Sequence, residues 1–546
     1  MKRKAVAAVL TAVMVASMFT GCGSDNGSSS AKSASAASAA SAANDTVDED
    51  GKVNGIMYQE GLPLVDEGDY TFSIFCDDSS ESGEFIMLDE FKKQTNVDVD
   101  LKIYPYETAT ERLNLDLNSG DYADVIGGWT LSDNAILTYG VNQGVFIPLE
   151  DYFEKYCPNI SAILDLPGVR EKMTAPDGHI YTIPYVCAGT TVGYSPYINT
   201  KWLENVGMSM PTTTDEFEAV LKAFKEQDAN GNGDASDEIP FSTDPNNKHI
   251  EAMAGYFGLP MNKLGIAIQN EKVVYGGVSD TYREFLSWFH KLYAEGLVDV
   301  ELYTQDSSTW GGKGNQDLYG VSIAYGSNEF TGIPAAEERG DFDSMPVLNT
   351  DKDGIWLRDT EGFSVYRTQA VITNKAEHPE IICRWFDNAF ALENGIGCNR
   401  GPVGVIVNKE DDGYHAIDTT TLSEEDQEKY SWGNLWPQSL PKYLPVDFEF
   451  VEEHPMYDEK KATEEAYEAN LTKEIIPSYW IDLDKIDTFS DTNTAIKDFF
   501  EQQQAQFVCG ELDIDNDADW QAYVDGMYSL GLEDWVATQG IEEIAK

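Results

Sequence analysis

Positive charge is scarce in this chain. Its 546 residues carry 37 Lys plus Arg against 95 Asp plus Glu, a formal charge of −58, which opposes attachment to nucleic acid or to an anionic lipid surface. Cysteine offers no framework either. Beyond Cys22, the residues Cys76, Cys157, Cys187, Cys383, Cys398 and Cys509 are scattered singly and no CxxC pair occurs, so buried free thiols are expected instead of a disulfide scaffold. The six histidines, His179, His249, His290, His378, His415 and His454, are too dispersed to suggest a local metal motif. GxSxG, HExxH and GxxxxGKS/T are missing as well. After residue 20 no apolar run is long enough to span a bilayer. What these absences leave is an acidic, solvated exterior.

What is present begins with an address. Lys2, Arg3 and Lys4 precede an apolar run from Ala5 to Thr20, and Gly21 is the small residue before Cys22, the layout of an export signal. The junction resembles the lipobox of bacterial lipoproteins, although Phe19 stands where a leucine-like residue is usual. That resemblance implies removal of residues 1–21 and acylation of Cys22, which would hold the mature chain on the extracellular face of the cytoplasmic membrane. Residues 23–50 are nearly all Ser, Ala, Gly, Asn and Asp, with no apolar surface to offset chain ordering. As a flexible tether they reach roughly 30 Å.

Roughly 490 residues follow, enough for two substantial lobes. Tyr70 to Phe75 reads as a strand, Phe85, Leu88 and Phe91 as a helical stripe, and Val97, Val99, Leu101 and Ile103 alternate as a second strand. Arg112 to Asn118 continues as a helix stopped by Gly120, and Ala123 to Ile126 is a third strand ending in Gly127-Gly128-Trp129. Strands alternating with helices predict a parallel sheet, whose ligands sit beyond the strand carboxyl ends, near Asp77, Asp78 and Trp129. Cys187-Ala188-Gly189 interrupts the chain with small residues suited to a hinge. Thr213 and Glu216 form a capping box ahead of Phe217, Val220, Leu221 and Phe224, and Tyr282, Phe285, Leu286, Phe289, Leu292 and Tyr293 repeat the amphipathic pattern.

The segments LNLDLNSGDYADVIGGW, YINTKWLENVGMSMPTTTDEF, AFKEQDANGNGDASDEIP, FLSWFHKLYAEGLVDVELYTQD and DWQAYVDGMYSLGLEDW resemble, in the family's order, the extracellular solute-binding lipoproteins of sugar ABC importers. The resemblance implies an α/β, two-lobed periplasmic-binding-protein-like fold, monomeric, closing on an oligosaccharide and delivering it to ABC permease subunits. It divides the chain into signal peptide 1–21, lipid anchor and linker 22–65, an N-terminal lobe of 66–186 plus 327–373, and a C-terminal lobe of 187–326 plus 374–546. Crossings are expected near Cys187, Ser327 and Thr373.

Asp228-Ala-Asn230-Gly-Asn232-Gly233-Asp234-Ala-Ser236-Asp237-Glu238 sets oxygens at the first, third and fifth positions and glycine at the sixth, the order of an EF-hand calcium loop. Ile239 stands at the twelfth position, so Asp237 and Glu238 are the acids left to close the sphere. Alginate-binding members of the resembled family hold calcium in such a loop, with closing acids one residue sooner. The expected ligands are Asp228, Asn230, Asn232, Asp237 and Glu238 through side chains and Asp234 through its carbonyl. A weaker echo runs Asp513, Asp515, Asp517, Asp519.

Sugar rings need flat apolar faces with polar groups near their hydroxyls. Trp129 is the leading candidate, followed by Trp432 and Trp436 in the broken stretch SWGNLWPQSLP, by Tyr185, Trp310 and Tyr325 near the expected crossings, and by Asp77 and Asp78 as hydroxyl acceptors. Capture without catalysis is the leading function. A surface-anchored glycoside hydrolase, built on two facing carboxylates, and a sugar sensor for a membrane kinase remain the alternatives.

Overall fold

The structure, a computed structural model, describes residues 45–78, 84–244, 249–332, 341–360, 362–445, 448–451 and 455–545. Cys22 and its signal lie outside the described residues.

Tyr70–Asp77 (β1), Ile86–Thr95 (α1) and Val97–Tyr104 (β2) form the expected β-α-β unit, with β1 and β2 parallel from Tyr70 opposite Val97 to Asp77 opposite Tyr104. Helix Tyr106–Ser119 (α2) ends at Gly120, whose φ of 75° is the left-handed stop that glycine adopts without cost. Val125–Gly127 (β3) lies parallel to β1 on its other side. Thr182–Ala188 (β4) ends this first passage.

Residues 189–194 then carry the chain to a second sheet made of Ser195–Asn199 (β5), Ile239–Thr243 (β6), Tyr319–Ala324 (β7) and Phe342–Ser344 (β8), in the order β8-β5-β7-β6. Between its strands run Thr214–Glu226 (α3) and Asp280–Ala294 (α4). Thr213 caps α3 by accepting from the Glu216 amide at 3.2 Å, and Phe217, Val220, Leu221 and Phe224 are all buried. The α4 stripe is buried from Tyr282 to Leu292.

The chain returns through Phe363–Ile372 (β9), which enters the first sheet between β3 and β4, giving the order β2-β1-β3-β9-β4. Here the expectation of a parallel sheet is corrected: β9 runs antiparallel to both neighbours. It arrives from the other lobe, so it enters from the opposite end. Pro379–Ala389 (α5) follows and buries Ile381, Ile382, Trp385 and Phe386 with Phe72, Ile74 and Phe91 in one core. Trp436 and Leu440 belong to the same core. The final passage, with Pro455–Tyr467 (α6) and Ile486–Cys509 (α7), joins the second core around Trp202, Phe217, Phe285 and Trp535.

These cores place the lobes differently from the sequence expectation. Residues 319–324 and 342–344 pair within the second sheet, while 379–400 and 435–440 serve the first core. Ser327 and Thr373 are therefore not crossings. The first crossing lies just past Cys187, between Ala188 and Ser195. It runs beside the second: Gly189 N–H donates to Gly362 O at 3.0 Å, Asp359 N–H to Thr191 O at 3.0 Å, and Thr360 Oγ1 to Thr190 O at 3.0 Å. Among the described residues no helix is long and apolar enough to cross a membrane.

Candidate functional site

The carboxyl end of β1 is built to hold a tryptophan at the surface. Asp77, 1% exposed, accepts the Trp129 amide at 3.0 Å and the Thr130 amide at 2.6 Å, fixing the turn that leaves β3. Gly128 has a φ of 136°, and a Cβ there would strike the Asp77 carboxylate. The Gly-Gly-Trp turn is thus rigidly specified. The neighbouring Asp78, 2% exposed, accepts the Gln438 amide at 2.7 Å. Both acids hold backbone, which corrects their expected role as sugar hydroxyl acceptors.

Trp129 is 46% exposed. Across the β9–β4 ladder Tyr366 faces Tyr185, and their rings stack 5.5 Å apart at 22°. Trp129 stands edge-on to both, 5.4 Å from Tyr366 and 6.4 Å from Tyr185. Tyr366 is itself 40% exposed. The result is an aromatic floor on the first lobe, supported by a cross-strand pair.

Close to it, at the hinge, sits a second group. Tyr325 is 43% exposed, its hydroxyl 2.7 Å from Thr190 Oγ1 and its ring 6.2 Å from Tyr194. Burial pushes its phenol up to about 12, with Cys187 and Tyr366 close enough to add to the shift. Tyr194 stacks on His249 at 4.0 Å, and burial pushes that imidazole down to about 4, so it is a neutral flat face near pH 7. Lys460 lies 4.0 Å above the Tyr325 ring and donates to Tyr325 O at 2.8 Å and to Gly193 O at 2.5 Å. Burial pushes Lys460 down to about 8 against the opposing pull of Glu464, Asp359, Glu329 and Glu459. Asp359, pushed up to about 6 by burial, is pulled back by the Gly193 amide and Lys460. Helix α6 thereby clasps the hinge strand, with Glu464 accepting the Thr191 amide at 2.7 Å.

Of the other expected ligand residues, Trp432 is half exposed. Trp310 and Trp436 are not at the surface. Trp310 packs against Phe330 and donates from Nε1 to Ser322 Oγ at 3.2 Å, while Trp436 stacks on Trp385 at 5.6 Å inside the first core. Both indoles fill space between elements that local sequence does not reveal as neighbours. Sequence reasoning missed Tyr366, Tyr194 and His249. The signal for Tyr194 was its place just beyond Cys187-Ala188-Gly189; nothing local marks Tyr366, whose role depends on strand pairing. A cavity of about 430 Å³ lined by Ser132, Asn134, Ile476, Tyr479 and Asn493 lies elsewhere and contains none of these exposed rings.

The acidic loop folds on itself in the expected order. Asp228 Oδ2 accepts the Gly233 amide at 2.9 Å, Asn230 Oδ1 the Asn232 amide at 3.0 Å, and Asn232 Oδ1 the Asp234 amide at 2.7 Å. Asp237 takes the Asn230 and Asn232 side-chain amides at 3.2 and 2.7 Å, and Glu238 Oε1 the Ala229 amide at 2.9 Å. Asp228 Oδ1 and Glu238 Oε2 are buried with no partner among the described residues, and burial raises the Glu238 carboxyl. Two buried carboxylate oxygens without donors fit a hard cation. The later echo does not behave this way: Asp515 accepts from Ser287 and Asp517 pairs with Arg283, both tying it to α4. Glu410, Asp412 and His415 also cluster, on the exposed hairpin Val407–Ala416, where His415 sits 2.9 Å from Asp412.

Residues 78–395 match the model of the bacterial extracellular solute-binding protein family. The chain belongs to that family. The fructooligosaccharide ABC transporter substrate-binding protein FusA of Streptococcus pneumoniae serotype 4 is 31% identical over 411 residues, spanning 73% of this chain and 70% of FusA. Lipoprotein LipO of Bacillus subtilis strain 168 is 28% identical over 280 residues, 50% of this chain and 52% of LipO. Among solved structures, an S. pneumoniae FusA EF-hand mutant in complex with fructo-nystose superposes with a TM-score of 0.74 at 27% identity, covering 86% of this chain and 98% of that one. This solute-binding protein thus has the two-lobed architecture that the resemblance implied.

Proposed function

We propose that this chain captures an uncharged oligosaccharide outside the cell, closes its lobes on it without hydrolysing it, and delivers it to the permease subunits of an ABC importer, held to the membrane by a lipid on Cys22. The observation that carries the reading is the floor of Trp129, Tyr185 and Tyr366 next to the hinge group of Tyr325 and Tyr194, near enough that Tyr366 acts on both phenols through space. Aromatic faces on both lobes suit the apolar faces of sugar rings. The likeness to FusA supports the same ligand class. Trp129→Ala is expected to weaken binding ten-fold or more, about 1.4 kcal/mol for one lost aromatic contact, without lowering stability. Calorimetry with a neutral oligosaccharide panel, and chromatography of the recovered sugar, test this. Unchanged affinity removes Trp129 from the site, and cleavage products overturn the binding reading in favour of a hydrolase.

The acidic loop holds calcium, with Asp228, Asn230, Asn232, Asp237 and Glu238 as side-chain ligands and Asp234 through its carbonyl. The ion supplies charge and coordination to the two unpartnered carboxylate oxygens and plays a structural part. At ten times the dissociation constant it adds about 1.4 kcal/mol. Chelation of the purified protein is therefore expected to release metal and lower the melting temperature; no metal in the untreated protein rules the site out.

A further inference from the structure

Lys442 is 2% exposed, yet it is placed under the aromatic surface and not in a salt bridge. The loop that carries it is locked: Ser439 Oγ donates to Asp77 O, Leu440 sits in the first core, and Tyr443 bridges Val186 of β4. The ammonium lies 5.9 Å from the centre of the Tyr185 ring and 5.7 Å from that of Trp432. It donates to Gln438 Oε1 at 3.1 Å. An ammonium has three N–H bonds, so two are unspent among the described residues. A purely structural role is a poor account of this, because burying a cation with idle donors costs stability that a methionine of similar length would not.

We propose that Lys442 is a specificity-determining residue of the oligosaccharide site, donating its two unspent N–H bonds to hydroxyl oxygens of a neutral sugar unit seated between Tyr185 and Trp432. This rests on the oligosaccharide reading above and narrows it. The Trp432 ring is the cover: it is half exposed, on a short turn held by its backbone carbonyl accepting from Gln438 Nε2 at 2.8 Å and by Asn434 Nδ2 donating to Glu428 O at 2.9 Å, while the indole itself meets Lys442 only through its ring face.

The choice of hydroxyl over carboxylate follows from the neighbours. Asp78 acts on Lys442 through space, and Gln438 joins the two, its amide donating to Asp78 and its Oε1 accepting from Lys442. The charge is answered within the protein; what is missing is acceptors. The nearby hinge group sets Glu329, Asp359, Glu464 and Glu459 around the single cation Lys460, so acids outnumber bases there and a uronate would meet like charge. The thiols facing Lys442, Cys187 and Cys398, are both pushed up by burial and stay neutral.

The test is calorimetry of the full chain, Lys442→Met and Lys442→Gln against kestose, neutral gluco-, xylo- and mannotrioses, and trigalacturonate, with melting temperatures alongside. The expected result is a wild type that binds a neutral trisaccharide, a Lys442→Met protein at least ten-fold weaker with an equal or higher melting temperature, and Lys442→Gln between them because an amide N–H remains. Wild-type affinity in Lys442→Met overturns the assignment while leaving the oligosaccharide reading intact. Preference for trigalacturonate, lost in Lys442→Met, overturns the hydroxyl choice. A wild type that binds no member of the panel, but a different class of solute, overturns both. If Lys442→Met does not fold, an affinity of Lys442→Gln equal to wild type overturns the assignment equally well.

Discussion

Trp436→Ala is expected to remove about 4 kcal/mol of stability and to leave sugar affinity where it was. The indole is wholly buried, stacked on Trp385 at 5.6 Å and 26°, 5.0 Å from Phe91, and its Nε1 donates to Leu440 O at 3.3 Å. Truncation leaves a cavity among rings that α1 and α5 hold in place, and rigid surroundings collapse poorly. Urea unfolding followed by circular dichroism measures the loss, fitted with separate transitions if the two cores unfold apart. Trp129→Ala provides the contrast, with affinity lost and stability kept. A Trp436→Ala protein with wild-type stability and lost affinity would return Trp436 to the ligand site.

The pairing of these two tryptophans shows where the sequence was legible. Trp129 follows a short apolar strand that ends in two glycines, and the consequence of that local pattern survives into the structure. Trp436 sits in a stretch broken by Gly and Pro, which reads as an exposed loop. Its burial depends on α5, whose partners in β1 and α1 lie some three hundred residues earlier in the chain, and no local pattern carries that information. The same holds for Tyr366, which faces Tyr185 only because β9 inserts beside β4. Asp77 and Asp78 were readable as important and misread as ligands: the fold uses their oxygens on amide N–H groups before any sugar arrives. The acidic loop was the most legible feature, since every partner but two in its hydrogen bonding lies within seven residues. The exceptions are Glu238 reaching nine residues back to the Ala229 amide, and Asn205 Nδ2 donating to Ala229 O at 2.7 Å.

Asp133→Ala is expected to cost about 3 kcal/mol, more than a surface ion pair would, because the cation it leaves behind is buried. The Arg367 side chain is 5% exposed and projects from β9 next to Tyr366. Its guanidinium grips Asp133 through two contacts at 2.8 and 2.5 Å, donates to Ser478 O at 3.1 Å and Tyr479 O at 2.7 Å, and lies 4.2 Å from the Trp480 ring. Trp480 in turn donates to Lys172 O at 2.9 Å. Segment 478–480 connects strand Leu471–Ile475 to α7, both packed on the second core, so this arginine ties the late chain to the first sheet. Removing Asp133 strands two N–H bonds of a delocalised cation that cannot shed its charge. If that uncompensated charge is the cause, Arg367→Met in the same chain recovers part of the loss, since a methionine can fill the space over Trp480 without needing a partner. A double-mutant cycle by urea unfolding reads this as a coupling of 2 kcal/mol or more, estimated at about two-thirds of the single loss. Losses that simply add would mean that Asp133 acts as a helix-start residue and not as the counterion of Arg367.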